Sequence, residues 1–169
     1  MNIYLVGFMG TGKTSVGRLL AQKESKFRFV DLDELIELKE QRRIVDIFAE
    51  EGEAYFRKVE KKILKSVATQ KQFIVACGGG IVLDQENFKI MRATGKVICL
   101  TASAKEIFKR VLTNSERPLL NVAHPQKRIE LLLKMRAPYY LKADKIIDTT
   151  DLSLKEVTKK IAKLIATCK

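Results

Sequence analysis

The stretch Gly7-Phe8-Met9-Gly10-Thr11-Gly12-Lys13-Thr14 decides how the rest of the chain is read. It fits the pattern G-x-x-x-x-G-K-[S/T] in full, and its surroundings fit too. The apolar run Asn2 to Val6 precedes it, and an amphipathic stretch from Lys13 to Glu24 follows. Glycines at these spacings let backbone N–H groups turn inward around phosphate oxygens, and the start of a helix adds favourable partial charge. The lysine can reach β- and γ-phosphates, and the hydroxyl after it can ligate a magnesium ion. The pattern predicts a nucleotide-binding turn between a strand and a helix. It leaves open whether the nucleotide drives chemistry, motion or signalling.

Outward from that turn, short apolar, β-branched runs alternate with longer amphipathic ones, which predicts an α/β fold with a parallel sheet wrapped by helices. Strands are expected at Asn2 to Val6, Phe27 to Asp31, Phe73 to Ala76, Lys96 to Leu100 and Lys145 to Asp148. Helices are expected at Lys13 to Glu24, Asp33 to Gln41, Val45 to Gln70, Asp84 to Ala93, Ala104 to Leu112, Gln126 to Met135 and Ser153 to Thr167. Thr113 to Pro125 has no sustained periodicity and holds two prolines and two asparagines, so it reads as a loop of the length that mobile lids have. With 169 residues, 46% of them hydrophobic and 31% charged, the chain suits one globular domain spanning residues 1–169.

The net charge of +12 favours anionic partners: nucleic acid, an acidic membrane surface, or small phosphates and carboxylates. Lysines and arginines are spread over nearly every predicted helix and aromatics reach only 7%, which speaks against a dedicated nucleic-acid reader. The apolar runs are too short to cross a bilayer, and Met1 to Val6 reads as a strand leading into the glycine turn rather than as a leader. Cys77, Cys99 and Cys168 form no metal or disulfide spacing and are read as packing residues of a cytoplasmic protein.

Several further residues are candidates for chemistry. In Phe27-Arg28-Phe29-Val30-Asp31-Leu32-Asp33 a period of two puts both aspartates on one side at the strand's carboxyl end, the end that lines ligand crevices in such sheets. One acid could hold magnesium through water and the other could orient an attacking hydroxyl. Alternatively, Asp31 with Glu34 forms a capping box. Arg57 lies at the edge of the apolar arc Phe56, Val59, Ile63, Leu64 and Val67, three residues from Glu60. A guanidinium fixed by that acid suits a carboxylate ligand, although the pair could be merely structural. Gly78-Gly79-Gly80 follows a buried strand and is either a plain turn or a place where a ligand touches backbone. Arg117, ahead of Pro118 in the loop, could neutralise a transferring phosphoryl group. His124 has no partner at catalytic spacing and reads as a surface residue.

Taken in order, the glycine turn, Asp31-Leu32-Asp33, Gly52-Glu53 with Phe56-Arg57-x-x-Glu60, Gly78-Gly79-Gly80, Arg117-Pro118-Leu119-Leu120 and Arg136-x-x-x-Tyr140 resemble the shikimate kinase family. The resemblance implies a three-layer P-loop fold with sheet order 2-3-1-4-5, substrate-binding helices at about 32–60 and a lid at about 112–125. It implies transfer of the ATP γ-phosphate to the 3-hydroxyl of shikimate with one Mg²⁺ ion, by a cytoplasmic monomer that binds neither nucleic acid nor membrane.

Carried over, Lys13, Asp33 and Arg117 are catalytic, and Gly10, Thr11, Gly12, Lys13, Thr14, Ser15, Arg110 and Leu154 hold the nucleotide. Asp33, Arg57, Gly78, Gly79, Gly80 and Arg136 hold shikimate. Thr14, and Asp31 through water, support the metal. Leu152-Ser153-Leu154 departs from the family, which often carries a proline there, and Leu154 is expected to supply the same apolar contact to adenine. The alternatives are a kinase of gluconate or of a nucleoside monophosphate on the same fold, and a nucleic-acid-binding NTPase.

Overall fold

The structure is a computed structural model, and it describes residues 1–112 and 124–166. Five parallel strands, β1 (Asn2–Val6), β2 (Arg28–Asp31), β3 (Phe73–Ala76), β4 (Gly95–Thr101) and β5 (Lys145–Asp148), form one sheet in the order β2-β3-β1-β4-β5. That is the order the family resemblance implies. Eight helices among the described residues join them: α1 (Lys13–Lys23), α2 (Leu32–Glu40), α3 (Ile44–Glu50), α4 (Gly52–Ala68), α5 (Gln85–Thr94), α6 (Ala104–Val111), α7 (Pro125–Tyr140) and α8 (Leu154–Ala166).

Alternation along the strands divides the core in two. Ile3 and Leu5 of β1 join Ile74, Ile98, Leu100 and Ile147 beneath α1 and α8. Tyr4 and Val6 join Val75, Cys77, Val97 and Cys99 beneath the other helices. The central strands β1, β3 and β4 are covered on both faces, which is why they read as apolar runs, whereas the edge strand β5 leaves Ile146 exposed. β1 lies at the centre, paired with β3 on one side and β4 on the other. The crevice where strand order reverses therefore opens at its carboxyl end, where residues 7–14 begin.

The helical stretch expected over Val45 to Gln70 is two helices. The chain turns at Gly52, whose φ of 80° is a left-handed conformation that glycine adopts without the cost a side chain brings. Helix α7 runs past the expected end at Met135 to Tyr140, with Pro138 inside it. Its last turn is closed by Leu141 N donating to Ala137 O at 3.0 Å. The proposed lid at 112–125 falls mostly on residues 113–123, and these, with Arg117 and Cys168, lie outside the described residues.

Candidate active site

Gly12 caps α1, and the Thr11 hydroxyl donates to Phe8 O at 2.7 Å, closing the turn on itself. Lys13 Nζ donates to Gly7 O and Phe8 O, each at 2.9 Å, so its ammonium lies within the loop's curve. A cleft of about 330 Å³ opens above, lined among others by Gly10, Gly12, Lys13, Thr14, Ser15 and Gly79. Asp31, Asp33 and Arg110 complete its polar wall.

Asp33 is not on β2, contrary to the expectation from strand alternation. The strand ends at Asp31, and Asp33 occupies the first turn of α2. Both acids still face the cleft, because the chain turns into a helix exactly where the crevice lies. Asp31 bonds to both neighbours of the crevice. Its Oδ1 caps α2 by accepting from Asp33 N at 3.0 Å, and its Oδ2 accepts from Thr14 Oγ1 at 2.7 Å. The reciprocal half of a capping box is not seen among the described residues, and Glu34 pairs with Arg18 instead. A hydroxyl and a carboxylate held side by side next to Lys13 are the hard oxygen donors that Mg²⁺ takes, directly or through water, so the residues fit such an ion.

Helix α4 delivers the ion pair expected between Arg57 and Glu60. Arg57 Nη1 donates to Glu60 Oε2 at 2.8 Å, and Glu60 is 0% exposed. Glu53, one turn earlier, accepts from Arg57 Nε at 3.2 Å and Nη2 at 3.0 Å. Glu53 was not assigned this role from the sequence, although its spacing of four from Arg57 carries the signal. Of the five N–H donors of the guanidinium, these bonds use three, leaving one on each terminal nitrogen.

The triple glycine is more than a turn. A Cβ on Gly80 would lie 2.3 Å from Arg57 Nη2, and one on Gly78 would lie 2.8 Å from Glu60 Oε1 and 2.9 Å from Asp33 Oδ1. Bare backbone is what lets three charged side chains close on this point. A Cβ on Gly79 would lie 3.4 Å from Gly7 O and 3.7 Å from both Met9 N and Arg136 Nη1. Gly79 thus sits between the phosphate loop and Arg136, whose guanidinium also lies over the Phe8 ring, 5.6 Å from its centroid.

Arg110 is anchored at the base of the loop. Its Nη1 donates to Gly10 O at 3.3 Å and Thr149 Oγ1 at 3.0 Å, and its Nη2 to Thr149 O at 2.8 Å. Thr149, buried and distant in sequence, gave no signal. Leu154, the first residue of α8, is exposed and lies outside the cleft's lining. His124 is exposed at the start of α7. Burial pushes the Cys77 thiol well up and the Cys99 thiol up to about 12, consistent with packing roles.

Burial likewise raises the Glu60 carboxyl above its ordinary value, against the pull of Arg57. Burial disfavours the Arg57 cation, yet Glu60 and Glu53 together hold its pKa above the ordinary value, so it stays charged.

A phosphate loop at the switch point of this sheet, facing a wall of fixed charge rather than a second nucleotide motif, marks a P-loop kinase of small molecules. The shikimate kinase family model matches residues 9–166. The shikimate kinase of Thermodesulfovibrio yellowstonii is 48% identical over 162 residues, 96% of this chain and 93% of the relative. That of Thermoanaerobacter pseudethanolicus is 43% identical over 162 residues, 96% and 94% of the two chains. Among solved structures, shikimate kinase from Acinetobacter baumannii in complex with shikimate superposes with a TM-score of 0.93 at 37% identity, covering 99% of this chain and 94% of that one. The chain belongs to the shikimate kinase family.

Proposed function

We propose that this enzyme transfers the γ-phosphoryl group of ATP to the 3-hydroxyl of shikimate, giving shikimate 3-phosphate and ADP on the pathway to chorismate and aromatic amino acids. The observation that carries the reading is the meeting of Arg57, Glu60 and Asp33 at Gly78 to Gly80, next to a phosphate loop that Gly79 touches. An anionic ring with hydroxyls needs a fixed cation for its carboxylate and an acceptor for its reacting O–H. Both stand within one residue of the nucleotide cleft.

In this reading Lys13 and the backbone of Gly10 to Gly12 hold the phosphates, with Ser15 beside them. Arg57, Arg136 and the backbone at Gly79 and Gly80 bind the carboxylate and ring hydroxyls. Asp33 accepts the proton of the 3-hydroxyl or orients it for in-line attack. Thr14, and Asp31 through water, would hold one Mg²⁺. The ion would supply neutralisation of the phosphate charge.

In this reading Arg110, on the cleft wall, packs on adenine, Leu154 supplies an apolar shelf, and Arg117 adds positive charge to the transferring group. We assign the acceptor side to helices within about 32–60 of a single domain, residues 1–169, and the lid to about 112–125. We read the enzyme as a cytoplasmic monomer that engages neither nucleic acid nor membrane. For the compartment the support is two free buried cysteines, Cys77 and Cys99.

A coupled ADP-release assay with shikimate, quinate, gluconate and AMP as competing acceptors tests the reading. Turnover with shikimate at least tenfold more efficient than with the others is expected. Preference for gluconate or AMP would move the chain to another acceptor.

A further inference from the structure

The three glycine carbonyls of the acceptor turn are held in two different ways. Gly78 O accepts from Ile81 N at 3.2 Å and Gly80 O from Leu83 N at 3.1 Å, both within the turn that follows. Gly79 O accepts instead from the hydroxyl of Tyr140 at 2.7 Å, a side chain from the far end of α7. Tyr140 is 5% exposed, and burial pushes its phenol up to about 12 against the pull of Arg136, which interacts with the same hydroxyl, so it remains a neutral donor at any working pH. Its position is firm, because just beyond it Asp144 N donates to Val97 O at 2.9 Å and ties the end of α7 to β4.

A trans peptide group is planar, with its C=O and the next N–H pointing in opposite directions. Fixing the Gly79 carbonyl therefore fixes the direction of the Gly80 N–H. The surrounding glycines have no side chains to brace the peptide themselves. One turn before Tyr140 on the same helix, Arg136 lies beside Gly79 and over Phe8. Helix α7 thus carries a cation for the acceptor at one position and the brace for the backbone donor at i+4.

We propose that Tyr140 is a positioning residue for acceptor binding, acting through the groups its hydroxyl meets, the Gly79–Gly80 peptide and the Arg136 side chain. It sets acceptor affinity without touching the acceptor or the nucleotide. The proposal rests on the function given above, since it supposes that the Gly80 N–H meets the acceptor.

The test is Tyr140→Phe, which removes the hydroxyl and keeps the ring, assayed beside the wild type by ADP release and thermal melting. The expected result is a shikimate KM raised about three- to tenfold, the consequence of one lost buried hydrogen bond, with kcat and the ATP KM within about twofold. The melting temperature should fall by no more than about 4 °C.

An unchanged shikimate KM overturns the proposal. So does a parallel loss in both KM values and kcat, or a variant that does not fold, because the hydroxyl would then be structural. A wild type inactive with shikimate overturns the functional reading and this inference together. An active wild type with an indifferent variant overturns this inference alone.

Discussion

Replacing Glu60 by glutamine separates what that carboxylate does for stability from what it does for the site. Glu60 is 0% exposed, its Oε2 accepts from Arg57 at 2.8 Å, and its Oε1 has no hydrogen-bond partner among the described residues. Burial, with some repulsion from Asp33, outweighs the attraction of Arg57, so the carboxyl titrates above its ordinary value of 4.5. A raised value means the folded protein holds this proton more tightly than the unfolded chain does. Its contribution to stability is then fully present below the unfolded value and lost as pH rises through the folded one.

Glutamine has no such proton to lose. Melting followed by circular dichroism should find Glu60→Gln at or above the wild-type melting temperature near neutral pH, with its relative advantage widening as pH rises from about 4.5. The site should respond in the opposite sense. Exchanging a charged acceptor for a neutral one weakens the bond to Arg57 by about 1 kcal/mol, roughly fivefold in an equilibrium constant. The shikimate KM should rise by about that factor, with the ATP KM unchanged. A variant that melts several degrees lower near neutrality, with a deficit that grows with pH, would show the ionised pair to be net stabilising and refute the reasoning.

Arg57→Lys replaces a fork bonded to two carboxylates by a single ammonium, and should raise the shikimate KM by about ten- to a hundredfold, or 1.5 to 3 kcal/mol, with ATP binding intact. An unchanged KM would count against the carboxylate role. Asp33→Asn should lower kcat at least about a hundredfold with a much smaller change in KM, and steady-state kinetics showing a loss confined to KM would remove its place in the chemistry. Gly80→Ala puts a methyl group 2.3 Å from Arg57 Nη2, so the guanidinium must move, and the shikimate KM should rise more than about tenfold. Normal kinetics would mean that the arginine pose is not critical. Chelation with EDTA should abolish turnover and added Mg²⁺ restore it, with Asp31→Asn needing more Mg²⁺ than wild type for half-maximal rate. Identical Mg²⁺ titrations would take Asp31 out of the metal site.

The sheet was legible because each of its strands centres on adjacent apolar residues, and β1, β3 and β5 begin and end where expected. Their order was not readable from periodicity, which carries no information on which strand lies beside which. It came from the resemblance. The break before α4 was missed because apolar residues recur on both sides of Gly52, and only the left-handed backbone angle there interrupts the helix. The end of α7 was missed because Pro138 argues against helix in isolation, whereas packing of Tyr140 into the core holds the last turn.

Within the site, spacing revealed contacts along one helix, as between Arg57 and Glu60. It could not reveal contacts between elements. Arg110 with Thr149, Tyr140 with Gly79 and Thr14 with Asp31 are separated by 39, 61 and 17 residues.

Glu60 breaks the pattern of its own helix, and that break explains the rest of the acceptor side. Phe56, Val59, Ile63 and Leu64 around it are buried apolar residues, and an aliphatic side chain at position 60 would complete their arc without any charge to desolvate. Arg57 would then be tied only to Glu53, whose side chain is 63% exposed, and an exposed pair holds a long side chain weakly. The buried carboxylate gives the guanidinium a second, immobile anchor, so two N–H groups stay aimed while the side chain loses little further freedom on binding a ligand. Glu60 in turn needs room, and the missing side chain at Gly78 provides it, as the one at Gly80 provides room for Arg57. Glycine in the turn and acid in the core are therefore one arrangement, in which stability is given up at position 60 so that a cation can wait, already oriented, beside the phosphate loop.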